Sequence, residues 1–96
     1  MAVGDVVINL TASVAAQDFL AIQPGAGVEW VIHNVHHEAG AELHFYDGTN
    51  TIVVMTDAAG GSWTGLALHA TNTKYYRIKN TDAAAKHLGY DGVQTK

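Results

Sequence analysis

The chain of 96 residues carries five basic and nine acidic residues, contains no cysteine and is 48% hydrophobic. This length predicts one domain over residues 1–96, and the absence of cysteine excludes disulfides and thiolate metal sites. Only 15% of the residues are charged, which favours a protein whose flanks are covered by neighbours. Since no long apolar run is present, we expect neither a signal peptide nor a membrane span, and we expect the chain to fold in the cytoplasm.

Hydrophobic residues recur with a period of two, which is the pattern of β-strands. The turn chemistry is clearest at residues 47–50, where Asp-Gly predicts a tight hairpin; helical turns are expected at most over 12–17 and 82–87. Seven to eight short strands with turns between them predict an all-β fold, a single antiparallel β-sandwich or jelly-roll-like domain. The candidate strands are residues 5–11, 17–23, 28–37, 42–47, 51–56, 63–69, 74–79 and 86–93.

Histidines cluster in and after the third candidate strand, which raises the question of a metal site. Metal-binding cupins share this architecture and place two histidines two residues apart, followed by a glutamate. Here His33 and His36 are three apart, so in a regular strand they face opposite sides, as do His36 and His37. We therefore predict no metal and no cofactor, and interpret these imidazoles, with His44, as interface or loop-stabilising groups; a pH-sensitive contact remains open.

Catalytic groups do not form a recognisable motif in the sequence. The two serines, Ser13 and Ser62, occupy turn-like positions, and the carboxylates are scattered over the loops. Neither an activated nucleophile nor a paired acid and base is indicated. We predict that the protein is not an enzyme.

The charges are distributed unevenly along the chain. All five basic residues follow residue 73, whereas seven of the nine acidic residues precede it. A sheet that gathers the C-terminal strands would have a positive edge suited to an acidic partner or to a second copy. With so few cations, nucleic-acid binding is not expected. The candidate partner interface comprises Lys74, Arg77, Lys79, Trp63, His36 and His37.

Aromatic residues leave a carbohydrate-binding function open, because small β-sandwiches present such rings to sugars. Trp63 follows a Gly-Gly loop, so we expect it to be an exposed ring, whereas Trp30 is flanked by core-like residues and is expected in the core. The full set of candidates is Trp30, Trp63, Tyr75, Tyr76 and Tyr90.

Several short motifs between residues 28 and 96 resemble small virion proteins of tailed bacteriophages. They are VEWVIHN at 28–34, YDGT at 46–49, GSW at 61–63, YYRIKNT at 75–81 and GYDGV at 89–93.

This resemblance implies a structural protein of the phage head, made in the host cytoplasm and located in the virion. The expected form is a capsid decoration (cement) protein, a β-sandwich that assembles as a homotrimer and binds the major capsid protein from outside. A carbohydrate-binding or tail- or fibre-associated module is the alternative. The resemblance carries neither catalytic residues nor a binding motif onto particular positions of this chain.

Overall fold

Nine strands in two antiparallel sheets account for the regular structure of residues 2–96, the part of the chain that the computed structural model describes. No helix occurs among these residues. The strands are β1 (Val6–Val14), β2 (Phe19–Ile22), β3 (Trp30–His37), β4 (Ala41–Tyr46), β5 (Thr51–Asp57), β6 (Gly61–Trp63), β7 (Leu68–Ala70), β8 (Tyr75–Asn80) and β9 (Lys86–Gln94).

The two sheets form a β-sandwich, which confirms the predicted all-β class. The five-stranded sheet has the order β1-β9-β3-β6, with β7 also paired to β3, and the four-stranded sheet has the order β2-β8-β4-β5. The apolar core lies between the sheets, and its largest fully buried side chains include Ile22, Ile32, Leu43, Ile78 and Leu88. One edge of each sheet, β1 and β5, is a long strand.

The predicted strand 63–69 is divided into two short strands in the structure. β6 pairs with residues 35–37 of β3 and β7 pairs with residues 30–32 of the same strand. Between them the chain loops out at Gly65, whose φ of 67° is left-handed, and the Leu66 amide donates to the His33 carbonyl (2.9 Å). This division raises the strand number above the seven to eight expected.

The two segments that allowed a helical turn form other structures. Residues 12–14 continue β1, and the turn that follows passes through Gln17 with a φ of 64°. The loop after β8 is held by the buried Asn80, whose amide donates to the carbonyls of Val14 (2.9 Å) and Ala84 (2.8 Å). A side chain that satisfies these backbone groups replaces the hydrogen bonds of a helical turn.

The hairpin predicted at residues 47–50 is confirmed. It connects β4 to β5, and the Asp47 amide donates to the Asn50 carbonyl (3.1 Å). The Asp47 carboxylate accepts from the backbone amides of Thr49 and Asn50. These bonds, that of Asn50 first, lower the pKa of Asp47.

A β-bulge in β3 determines which of its side chains face the core. In the pairing with β9, Ile32 lies opposite Gly92 and Asn34 lies opposite Asp91, so His33 is an extra residue without a partner. The buried residues are consequently Ile32, Val35 and His37, not one uninterrupted alternation. A regular alternation over residues 28–37 would place Ile32 and His36 on one face, but the bulge reverses the phase of the strand after residue 33, so the two lie on opposite faces.

Candidate interaction surfaces

Two edge strands carry six of the seven large apolar side chains that are exposed in residues 2–96, and the seventh, Val3, precedes β1. On β1, Val6, Ile8 and Leu10 are 68%, 74% and 69% exposed, whereas the intervening Val7 is buried. On β5, the exposed residues are Ile52, Val53 and Val54. Exposed apolar side chains on a sheet edge mark a surface that favours contact with another chain.

The apolar row of β1 continues onto the outer face of the five-stranded sheet. Ile8 lies directly opposite Asp91 of β9, and Asp91 lies opposite Asn34 of β3. Residues opposite each other in a ladder share a face, so an apolar margin borders a polar centre on this face. The polar centre consists of Asn34, His36, Ser62 and Asp91 and is called the His36 network below.

Hydrogen bonds run in sequence through the His36 network. The Nε2 atom of His36 lies 2.7 Å from the Asp91 carboxylate, and its Nδ1 atom lies 2.7 Å from the Ser62 hydroxyl. Since a carboxylate only accepts, Nε2 donates, and in the neutral ring Nδ1 accepts from Ser62. Asn34 donates a further hydrogen bond to Asp91 (2.7 Å). The network therefore connects β6, β3 and β9 across the sheet.

The order Ser–His–Asp also occurs in hydrolytic triads, so a catalytic interpretation has to be considered. In the triad the serine contacts Nε2 and the aspartate contacts Nδ1; here the two nitrogens have exchanged roles. Two surface pockets lined by described residues lie elsewhere, one between residues 26–29 and 71–73 and one around Ala41 and Thr56. We interpret the network as a clamp that fixes the bulged strand to its neighbours.

Asp91 is held as an anion by this clamp. Its partial burial would by itself raise the pKa, but the hydrogen bonds from His36 and Asn34 and the neighbouring histidine charges outweigh that effect. The pKa of Asp91 consequently lies below its ordinary value. Hydrogen bonds to a charged form stabilise that form, so the Asp91 carboxylate has its hydrogen-bond partners within the protein itself.

The outer face of the four-stranded sheet is built around a cation. The guanidinium carbon of Arg77 lies 4.7 Å from the ring centroid of Phe19 and 5.7 Å from that of Tyr46. Arg77 also donates to the Thr51 hydroxyl (3.1 Å), and the Lys79 ammonium lies 5.9 Å from the Phe19 ring. Cation–π contacts orient the guanidinium without neutralising its charge. We call these five residues the Arg77 cluster.

The six residues of the predicted interface do not lie on one surface. Arg77 and Lys79 belong to the Arg77 cluster, and Lys74 is exposed in the turn just before β8. His36 lies on the outer face of the other sheet, in the network named after it. His37 and Trp63 face inward: the His37 side chain is fully buried, and its ring centroid lies 4.4 Å from that of Trp63.

The aromatic residues considered for sugar binding are mostly part of the interior. Trp63, which the sequence indicated as an exposed ring, is half-buried and packs against the core. Tyr90 is buried and lies 6.1 Å from Trp30, and Tyr76 packs on Phe45. On the outer face of the four-stranded sheet the ring pair is Tyr46 and Tyr75, with centroids 5.2 Å apart.

Four of the six histidines lie within 4 Å of a carboxylate. At the end of β3, for example, Glu38 accepts hydrogen bonds from the backbone and the ring of His87, and these lower the pKa of Glu38. Within residues 2–96, no group of three or more His, Cys, Asp or Glu is arranged to hold a metal ion. The pairs are His36 with Asp91, His37 with Asp57, His44 with Glu42, and His87 with Glu38.

The sequence interpretation did not identify the two apolar edges. β1 begins with three apolar residues in a row, Val6, Val7 and Ile8, so alternation alone did not decide which of them face solvent. A different feature of the sequence could have indicated these edges. Edge strands usually carry charged residues or proline, which prevent pairing with another chain, and residues 6–14 contain neither. Residues 51–56 share this composition.

Comparisons with known proteins do not assign this chain to a family. No protein-family model and no curated protein matches it. Across the described residues there is also no helix with the length and apolar character needed to cross a bilayer.

Proposed function

We propose that this protein is a structural virion protein of a tailed phage, namely a head decoration protein without catalytic activity. It assembles as a homotrimer on the outside of the capsid, binds the major capsid protein and stabilises the head. The motifs at 28–34, 46–49, 61–63, 75–81 and 89–93 are the basis for the phage origin. The surface of the molecule supports the assembly role.

The observation that carries the proposal is the exposure of apolar side chains on an edge strand of each sheet. Val6, Ile8 and Leu10 on β1 and Ile52 on β5 are each more than 60% exposed. A partner that covers these side chains removes their apolar area from water, and the free energy gained is proportional to that area. A protein that functions inside an assembly covers these edges, whereas a free monomer leaves them open to non-specific aggregation.

The Arg77 cluster supports a second contact, with an acidic surface of the capsid. Arg77 and Lys79 face the same side as Glu42, and the Glu42 carboxylate lies 3.0 Å from His44. The two cations therefore exceed the acidic charge on this face. Contacts between exposed opposite charges weaken as salt rises, which gives the proposal a measurable signature.

The test is co-sedimentation of the purified protein with vacant heads, which are heads of the encoding phage that lack this protein. We expect saturable binding at a fixed ratio to the major capsid protein, and weaker binding at higher salt. Heads that already carry a full complement of the protein are the control and should take up none. Failure to bind the vacant heads would refute the proposal.

A carbohydrate-binding, tail-associated role is the second candidate, and the observation that favours it is the Tyr46–Tyr75 pair beside Arg77. The two rings are inclined at 59° to each other on the outer face of the sheet, and the face of either ring offers apolar surface to a sugar. If the protein ignores vacant heads and instead binds defined sugars on a glycan array, this second function replaces the first.

A further inference from the structure

We propose that β1 of one copy pairs edge to edge with β5 of the next copy. The five-stranded sheet of each copy then continues into the four-stranded sheet of its neighbour, and the copies close into a cyclic assembly. This inference rests on the proposed function, which states that copies of the protein assemble. It adds which surfaces of the copies are in contact.

Both strands have a free edge that carries neither lysine nor proline; each also contains a bulge, between Thr11 and Val14 in β1 and at Val54 in β5, so the regular part available for pairing on β1 is Val6–Thr11. β1 pairs only with β9, and β5 pairs only with β4. Natural edge strands are usually short, or carry lysine or proline. β1 has nine residues with no charge and no proline, and β5 has seven with a single charge at its last residue, Asp57.

The remaining edges of the two sheets follow the protective rule. β2 has four residues, and β6 and β7 have three each. Strands this short offer few unpaired backbone groups to another chain. The contrast within one molecule shows that the long edges are the ones left available.

All seven of the large apolar side chains that are exposed in residues 2–96 lie on these two edges or directly before one of them. This clustering is not expected of apolar residues scattered singly over a surface. The strands with a free backbone edge, β1 and β5, are therefore also the strands with exposed apolar side chains. The seven are Val3, Val6, Ile8 and Leu10 at β1, and Ile52, Val53 and Val54 at β5.

The positions of the edges favour head-to-tail contact between copies. β1 packs across the sandwich from β2, and β2 and β5 are opposite edges of the four-stranded sheet. β1 and β5 therefore lie on opposite sides of the molecule. A two-fold contact of β1 with β1 would leave every β5 uncovered, whereas a β1–β5 contact repeated around a closed cycle covers both edges of every copy.

The exposed area explains why a closed cycle is favoured over an open pair. At roughly 100 Å² of apolar surface for each Val, Ile or Leu side chain, the seven together expose about 400 Å². A stable interface of about 1,200 Å², somewhat over half of it apolar, needs roughly 700 Å². One contact is therefore weak, even with main-chain hydrogen bonds added, and closure gives each copy two contacts that must break together.

A second copy is the occupant that the composition of the edges supports. β1 carries no charge and β5 carries only Asp57 at its end, which lies 3.6 Å from His37 of the same copy, and both strands expose aliphatic side chains. One chain thus supplies both halves of the contact. Any other protein would have to present two separate uncharged edges to cover the same surface.

Lysine substitutions test whether the two edges are needed for assembly. Ile8→Lys blocks β1 and Ile52→Lys blocks β5, and both side chains are exposed enough for the monomer to fold. We expect light scattering to show an oligomer for the wild type and a monomer for each variant at the same concentration. His69→Lys, on the short β7 of the same sheet as β1, is the matched control and should assemble normally.

Cysteine crosslinking tests which edges meet, and it also captures weak contacts. The chain has no cysteine of its own, so Ile8→Cys and Val53→Cys each introduce a unique thiol. With a short bis-maleimide, we expect the mixture of both variants to form mixed dimers well above the dimers of either variant alone. The double variant should yield a ladder that ends at the size of the closed assembly.

Three results would overturn the inference. They are a monomeric wild type at its highest soluble concentration, a strong Ile8→Cys homodimer, or crosslinking no better than that of a His69→Cys control. The head-binding test separates these failures from failure of the proposed function. Saturable binding by a protein that fails these tests refutes only the β1–β5 contact, whereas an intact assembly that ignores vacant heads refutes only the decoration role.

Discussion

The outer faces of the two sheets hold charged side chains in different surroundings. On the five-stranded sheet, Asp91 accepts hydrogen bonds from His36 and Asn34. On the four-stranded sheet, Arg77 lies near the rings of Phe19 and Tyr46. The carboxylate has its partners within the protein. The guanidinium is positioned by ring contacts that leave its charge uncompensated, and its Nε atom has no hydrogen-bond partner among the described residues.

This difference shows how one small sandwich can present two kinds of surface. A carboxylate whose hydrogen-bond partners lie within the protein is less available to an outside partner, so the apolar margin of β1 is the more exposed feature of the first face. A charge that is oriented but not paired remains available, so the second face suits an acidic partner. The following three substitutions are designed to disturb one face and spare the other.

The largest effect is expected for Gly92→Ala, which acts on the bulge beneath the His36 network. A Cβ at residue 92 would lie 2.1 Å from the Val31 carbonyl oxygen and 2.7 Å from the Cα of Ile32. Both atoms belong to the backbone and cannot rotate away, so β3 and β9 must separate. We expect the free energy of unfolding to fall by about 3 kcal/mol, measured by urea denaturation.

Gly25→Ala is the matched control, because a Cβ there meets no atom within 4 Å and the φ of Gly25 is not left-handed. It should unfold like the wild type. A Gly92→Ala protein of normal stability would show that the bulge does not depend on close approach at this position.

A medium effect is expected for Arg77→Ala on the other face. The substitution removes the contacts with Phe19 and Tyr46 and the hydrogen bond to Thr51. We expect a loss of about 1 kcal/mol in urea denaturation, since partly exposed cation–π contacts are worth about that much. Arg77→Lys keeps the charge without the planar guanidinium and should lose part of this stability. Lys74→Ala, an exposed turn substitution, should change nothing; an equal loss there would contradict a specific role of Arg77.

The strand segments could be predicted from sequence because their signals are local. Period-two alternation and the Asp47-Gly48 turn depend on neighbouring residues, and the hairpin formed where they indicated. The bulge at His33 depends on the fit of Gly92 against Val31, about sixty positions along the chain, and no local pattern contains it. For the same reason the regular alternation assumed for 28–37 assigned His36 to the wrong face.

The surfaces were harder to predict because they depend on which strands become edges. The apolar run at the start of β1 is typical of a strand buried on both faces, yet β1 has a neighbour on one side only. Similarly, the burial of Trp63 requires the pairing of β6 with the end of β3, which brings its ring onto His37. Sequence spacing indicates strands but does not order them within a sheet.

The smallest effect, and the one most specific to the first face, is expected for Asp91→Asn. The pKa of Asp91 lies below its ordinary value of 3.8 in the folded protein. The charged carboxylate therefore adds stability above that pH, and the contribution is lost as the pH falls through the lowered folded value. We expect Asp91→Asn to be less stable than the wild type at pH 7 by about 0.5 kcal/mol, the lower end of the usual hydrogen-bond contribution. Urea denaturation at pH 7 and again well below the ordinary value should show this gap closing in acid, because both proteins then carry a neutral side chain at residue 91. A gap that persisted in acid would mean that Asp91 acts through its shape and packing, and that the His36 network does not hold it as an anion.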